Sequence, residues 1–208
     1  MLENYKKHVA ERAEQNIPPL PLDADQTSEL IELLKKDHQE SDFLLNLLKE
    51  RVPAGVDQAA YVKAAFLADI TTGKASSPYI TKIEAVKILG TMLGGYNIQP
   101  LIECLKDNEL AEAAAHVLSR TLLIFDAFNE IFELSKTNEH AKKVVEEWAN
   151  ATWFTEKTDI EEQIKLTVYK VTGEINTDDL SPAPDAWSRP DIPLHALAMF
   201  KMPRTGLD

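Results

Sequence analysis

The chain has 208 residues, with 22 Lys+Arg against 34 Asp+Glu, one Cys and 44% hydrophobic residues. That gives room for one large domain, or for a medium domain and part of a second, each with a real core. A net charge of −12 argues against bulk electrostatic binding to nucleic acid or an anionic membrane, and one Cys excludes an internal disulfide or a Cys-ligated cluster held by this chain alone.

The first residues, Met1 to Asn16, are charged and amphipathic, unlike a secretory leader. No later run approaches the ~18 apolar residues of a membrane span. The expectation is a soluble, cytoplasmic, acidic protein. From Leu2 to about Trp153 the apolar residues recur three and four positions apart. Leu30, Leu33 and Leu34 make one stripe, and Leu44, Leu45, Leu47 and Leu48 the next. Tyr61, Ala64, Ala65 and Leu67 follow, then Ile83, Val86, Leu89 and Leu93. Leu101, Ile102 and Leu105 precede a stripe running from Ala114 through Leu118 and Leu122 to Phe125, and Val144, Val145 and Trp148 close the set. Breakers separate them at Pro18–Pro21, Pro53–Gly55, Gly73–Pro78, Gly94-Gly95 and Asn108. Asp57 is placed to cap a helix entering Gln58, and Thr81-x-x-Glu84 has capping-box spacing. Six to eight helices are expected, and no strand before Trp153.

Phe43–Glu50 and Pro100–Asp107 share apolar positions and acidic ends, and each leads into an alanine-rich helix. Such pairs cannot bury their faces alone, so a solenoid of stacked antiparallel pairs follows. A generic helical bundle that reuses a common pattern is the other reading.

A second regime begins after Thr158-x-x-Glu161. Residues 164–171 alternate and are rich in β-branched side chains, which predicts a strand. A long loop follows, with Pro182, Pro184 and Pro190, and then a helix entered at Asp191 and Pro193 and carrying Leu194, Leu197 and Ala198. One strand, one loop and one helix close no core, so residues 159–208 read as the opening of a domain that continues beyond Asp208.

That loop concentrates the chemistry. Asp178, Asp179, Ser181, Asp185 and Arg189 fall within twelve positions, braced by prolines and Trp187. A stiffened loop with carboxylates, a hydroxyl and a guanidinium suits a carboxylate-bearing substrate, since Arg offers a planar bidentate fork. The alternative is structural: Asn176, Asp178 and Asp179 are turn formers, and Arg189 pairs with Asp191 on the surface. His8, His38, His116, His140 and His195 are scattered, none at metal-ligand spacing from another, and read as isolated residues. Cys104 lies in an apolar stripe and reads as a buried small side chain. Gly94-Gly95-Tyr96-Asn97 lacks the strand and Lys of a phosphate loop and reads as a helix-ending turn.

Residues 171–199, from Val171-Thr-Gly-Glu-Ile-Asn-Thr-Asp-Asp-Leu-Ser to Leu-His-Ala-Leu-Ala-Met199, closely resemble the start of the swivelling domain in the bacterial aconitase B family. Met1–Ala13, Arg51–Leu67 and Leu89–Ile98 resemble that family as well, so the likeness covers nearly the whole chain. The resemblance implies a mainly α fold: a HEAT-like helical domain over residues 1–158, then the incomplete start of a β/α swivelling domain over 159–208. It implies a lyase of the tricarboxylic acid cycle, an aconitate hydratase and 2-methylisocitrate dehydratase that works through cis-aconitate. By the same resemblance, Asp178 and Ser181 of Thr177-Asp-Asp-Leu-Ser181 reach the active site and Arg189 binds a substrate carboxylate. The family's [4Fe–4S] cluster would be held by three cysteines outside this chain, with none bound here, and the family's serine base also lies outside it. Implied partners are a tricarboxylate substrate and a second copy in a homodimer, with no membrane. The resemblance also raises RNA binding by the cluster-free form. The charge of −12 opposes a broad phosphate-tracking surface but leaves a local basic patch at Lys6, Lys7 and Arg12. On this basis the chain alone is inactive. A stand-alone helical-repeat interaction protein with a vestigial swivelling segment is the competing reading, and a reading frame continuing past codon 208 separates the two.

Overall fold

The computed structural model describes residues 1–55, 57–93, 95–121, 124, 126–156, 162–166, 168, 170–171, 173–186, 195 and 198–201. The described residues are mainly helical. In chain order the helices are α1 (Leu2–Glu14), α2 (Ala24–Leu34), α3 (Ser41–Asn46), α4 (Gln58–Thr72), α5 (Lys82–Gly90), α6 (Ile98–Cys104), α7 (Ala111–Leu118), α8 (Ala127–Leu134) and α9 (Glu139–Ala149). Three short helices follow: α10 (Thr152–Thr155), α11 (Thr177–Leu180) and α12 (Ala183–Ala186).

Local chemistry sets the helix starts. Asp57 accepts the Ala60 N–H at 3.0 Å, as its position predicts. Asp23 and Gln26 form a reciprocal capping box at the head of α2. At α5 only half of the expected box forms. Thr81 accepts the Glu84 N–H at 3.1 Å, but the Glu84 carboxylate turns to Lys49 Nζ at 2.6 Å. A cross-helix cation 35 residues away outcompetes the local amide.

The helices pack in a ladder: α2 on α4, α4 on α5, α5 on α7 and α7 on α9, with α6 against α5, α7 and α8. Their inner faces form one continuous apolar cluster from Tyr5 to Val144. At the α5–α7 crossing the backbones approach so closely that a methyl added at Gly90 would meet Val117 Cβ at 2.6 Å. Cys104 is buried in this core, as expected, and burial pushes its thiol up. α7 ends at Leu118, so the stripe predicted to run on to Phe125 is cut short; Leu122 and Phe125 lie outside the described residues. The helix-ending turn expected at Gly94-Gly95 is not at the end of α5, which stops at Gly90; Gly95 sits in the connection to α6 with φ 93°, and Gly94 lies outside the described residues. Asn97 occupies that connection, donating to the carbonyls of Leu89 at 2.9 Å and Met92 at 2.8 Å.

The expected strand over 164–171 is not present among the described residues. Ile164, Leu166 and Val168 are 64, 76 and 85% exposed. A strand exists only as part of a ladder, and no described segment pairs with this one. Most of the helix expected from Asp191 lies outside the described residues.

Among the described residues the helical core holds one buried cation, Lys63. α3 continues into a π turn over Leu47–Arg51, where the Val52 N–H reaches back five residues to the Leu47 carbonyl at 3.1 Å. Pro53, four residues after Lys49, has no N–H to give the Lys49 carbonyl. The fully buried Lys63 of α4 fills that role at long range, its Nζ 3.5 Å from the Lys49 oxygen. Burial, against a weaker pull from Glu50, lowers the Lys63 pKa from 10.5 to about 8.

The unfolded chain therefore holds a proton on Lys63 between about pH 8 and 10.5 that the native state has released. Native stability should rise with pH across that window and carry its full penalty below it. Lys63→Met should raise stability at pH 7 by about 1–3 kcal/mol and remove that alkaline rise, read by denaturant unfolding at pH 7 and 10.

Candidate functional site

The loop predicted to carry the chemistry is built on two short helices. Asn176 caps α11, its Oδ1 accepting the Asp179 N–H at 3.0 Å, while Asp179 Oδ2 accepts the Asn176 N–H at 2.9 Å. Asp179, at 9% exposure, is thereby committed to holding the turn. Asp178, next to it, is exposed on the first turn of the helix. The structure thus divides two adjacent aspartates into a bracing group and an outward-facing one.

The Ser181 N–H closes α11 on the Thr177 carbonyl at 2.7 Å. Its exposed hydroxyl lies 2.6 Å from His195 Nε2, the direction of donation depending on the tautomer. His195 reads as isolated in the sequence; it stands 14 positions after Ser181, and neither periodicity nor spacing carries a signal of their meeting. Asp185, 6% exposed, takes Lys201 Nζ at 3.2 and 3.4 Å. Arg189, together with Trp187, Pro190 and Asp191, lies outside the described residues. Of the three candidate residues, Asp178 and Ser181 are on one helical turn.

The segment faces the N-terminal end of the helical domain. A cavity of about 470 Å³ is lined by Tyr5, His8, Pro21, Asp23, Asp57 and Lys201, among others. His8 Nε2 accepts the Leu20 N–H at 2.9 Å. Burial, then the charge of Arg12, outweighs the opposing pull of Glu11 and holds His8 below the usual histidine range. The local basic patch left open at Lys6, Lys7 and Arg12 is partly used internally. Lys6 bridges Glu40 at 2.6 Å and Glu3 at 3.3 Å, Lys7 lies 3.6 Å from Glu11, and Arg12 turns to backbone carbonyls. Among the described residues no group of three or more His, Cys, Asp or Glu could hold a metal ion, and no helix is long and apolar enough to cross a membrane.

The family model described as Aconitate B N-terminal domain matches residues 4–154, and that described as Aconitate hydratase 2 N-terminus matches residues 166–207. Both describe the N-terminal portion of an aconitase, and that is the class of protein this helical domain and capped loop define. The chain belongs to the aconitase B family. It is 59% identical to Aconitate hydratase B of Escherichia coli (strain K12) over 210 residues, covering 100% of this chain and 24% of that protein. Identity to Aconitate hydratase B of Pseudomonas aeruginosa is 58% over the same coverage. The protein of that name from Synechocystis is 57% identical across 98% of this chain and 24% of its own length. The chain therefore spans about a quarter of the relatives it matches.

If the Asn176–Asp179 box sets α11, Asn176→Ala should cost about 1 kcal/mol of local stability. Faster amide exchange at Asp179 and Ser181, with α4–α9 unaffected, is the expected result.

Proposed function

We propose that this chain is the N-terminal part of an aconitate hydratase that interconverts citrate and isocitrate through cis-aconitate, with 2-methylisocitrate as a related substrate. The observation that carries this is the Thr177–Ser181 element on its capped turn, in a chain that is 57–59% identical to several aconitate hydratases B over nearly its whole length. Residues 1–158 serve as a HEAT-like helical domain and 159–208 begin the swivelling domain. The order of helix packing and the separate matches to 4–154 and 166–207 support that division.

The role of this chain's own residues is to bind and orient. Arg189 supplies a bidentate guanidinium to a substrate carboxylate; a tricarboxylate needs such a partner once it leaves water. Ser181 offers a hydroxyl held by His195, and Asp178 an exposed carboxylate on the same short helix. The residues of this chain do not fit a [4Fe–4S] cluster. Its single Cys lies in the helical core, and a cluster of this kind needs three thiolates. The cluster belongs to cysteines outside this chain, and no step through it falls to the residues described. The helical domain also offers a contact surface for a second copy or another protein. Phe128 and Phe132, each 44% exposed, and Phe154, 68% exposed, support that part of the reading. RNA contact gains little support, because Lys6 is paired with Glu40 and Glu3 and Arg12 is held by backbone carbonyls.

In the full-length protein Arg189→Lys should weaken substrate binding and turnover by roughly 1–3 kcal/mol, with cluster content unchanged. Wild-type kinetics in that variant would make Arg189 a surface ion-pair residue. The purified 208-residue chain should hydrate no cis-aconitate and take up no four-iron cluster on reconstitution with iron and sulfide. One cluster per chain would overturn this assignment.

A further inference from the structure

Among the described residues, Arg12 joins the N-terminal helix to the C-terminal segment. Arg12, in the last turn of α1, donates from Nε to the Pro18 carbonyl at 2.9 Å and from Nη2 to the Phe200 carbonyl at 2.8 Å. Phe200 passes the connection on, its N–H donating to the Asp179 carbonyl at 2.7 Å. Asp179 sits in α11 between Asp178 and Ser181. A chain of three hydrogen bonds thus runs from the proline-rich turn, through a guanidinium and a backbone unit, to the candidate catalytic turn.

Phe200 is an unusual residue for this position. It is 3% exposed and has φ 54°, a left-handed conformation that a bulky side chain adopts only where its surroundings impose it. Both of its backbone polar groups are engaged, one toward α11 and one toward α1. Its neighbour Ala198 is fully buried. Strain of this kind persists where several contacts hold it, and the Arg12 fork is one that comes from α1.

We propose that Arg12 is a positioning residue: by gripping Phe200 it holds α11, and with it Asp178 and Ser181, in a set relation to the helical domain. The chemistry favours Arg at this point. Two carbonyls lying in different directions, 182 residues apart in the chain (18 and 200), are met by two nitrogens of one rigid planar group, whereas Lys presents a single nitrogen on a flexible stem. Pro18, Pro19 and Pro21 lack N–H groups, so the turn offers acceptors with few competing donors. Arg51 takes the Pro19 carbonyl beside it in the same way. The catalytic consequence rests on the reading of Asp178 and Ser181 given above; the latch itself does not.

The test has two arms. In the 208-residue chain, Arg12→Met should speed amide exchange at Phe200 and Ser181 by about tenfold or more, leaving α4–α9 unchanged, and Arg12→Lys should give a smaller increase. In the full-length protein, Arg12→Met should lower kcat/KM for isocitrate by about tenfold, mostly through kcat, with iron content and thermal midpoint unchanged. Unchanged exchange at Phe200 and Ser181 overturns the latch, whatever the enzyme does. Faster exchange with unaltered kcat/KM overturns the positioning role. Asp178→Asn and Ser181→Ala variants of the full-length protein serve as the control. Full activity in both would sink the catalytic reading of the loop, while faster exchange in Arg12→Met would still establish the latch.

Discussion

No helix of the first 150 residues can stand by itself. The longest, α4, has 15 residues, and α3, α6, α7 and α8 have eight or fewer. Helices of that length are marginal in water, because nucleation costs more than a few hydrogen bonds return. Mutual burial is therefore the constraint on which everything else depends. Each helix supplies part of a neighbour's core, and the apolar cluster passes without a break from α1 to α9. The approach at Gly90 and Val117 shows how tightly that requirement draws α5 and α7 together.

The same constraint explains the polar exceptions. A π turn over Leu47–Arg51, followed by Pro53, leaves the Lys49 carbonyl short of a donor, and a lysine from the next helix is buried to face it. That arrangement keeps an amine where burial favours its neutral form, so the fold tolerates a local cost to preserve the chain path between α3 and α4. At the other end, the proline-rich turn after α1 exposes carbonyls that helix or sheet would otherwise engage. Two arginines, Arg12 and Arg51, take them, and one of the two reaches on to Phe200.

The loop at 174–186 follows similar logic on a smaller scale. A four-residue helix has almost no intrahelical bonding, so its geometry comes from side chains. Asn176 and Asp179 close it from within, Phe200 ties it from outside, and Asp178 and Ser181 are left on the exposed side. A carboxylate and a hydroxyl presented on a braced turn make a sounder base for binding a charged substrate than the same groups on an open loop, because less ordering remains to be done on binding.

Much of this was legible from residues alone. Apolar periodicity marked the helices because amphipathic stripes are a local property. Asp57 and Thr81 marked helix starts because a cap needs only its own next three residues. The family likeness over 171–199 marked the loop. What could not be read there depended on partners far away in the chain. Glu84 left its capping box for Lys49, His195 came to Ser181, and Arg12 crossed 188 residues to Phe200. The alternating run at 164–171 shows the converse: its pattern is that of a strand, but a strand forms only against another, and no described segment pairs with it. The sequence by itself determined most of the helices, the caps at Asp57 and Thr81, and the candidate residues. The tertiary structure alone decided which of the two aspartates faces outward and what holds their turn in place, because those depend on contacts that form only when distant segments fold together.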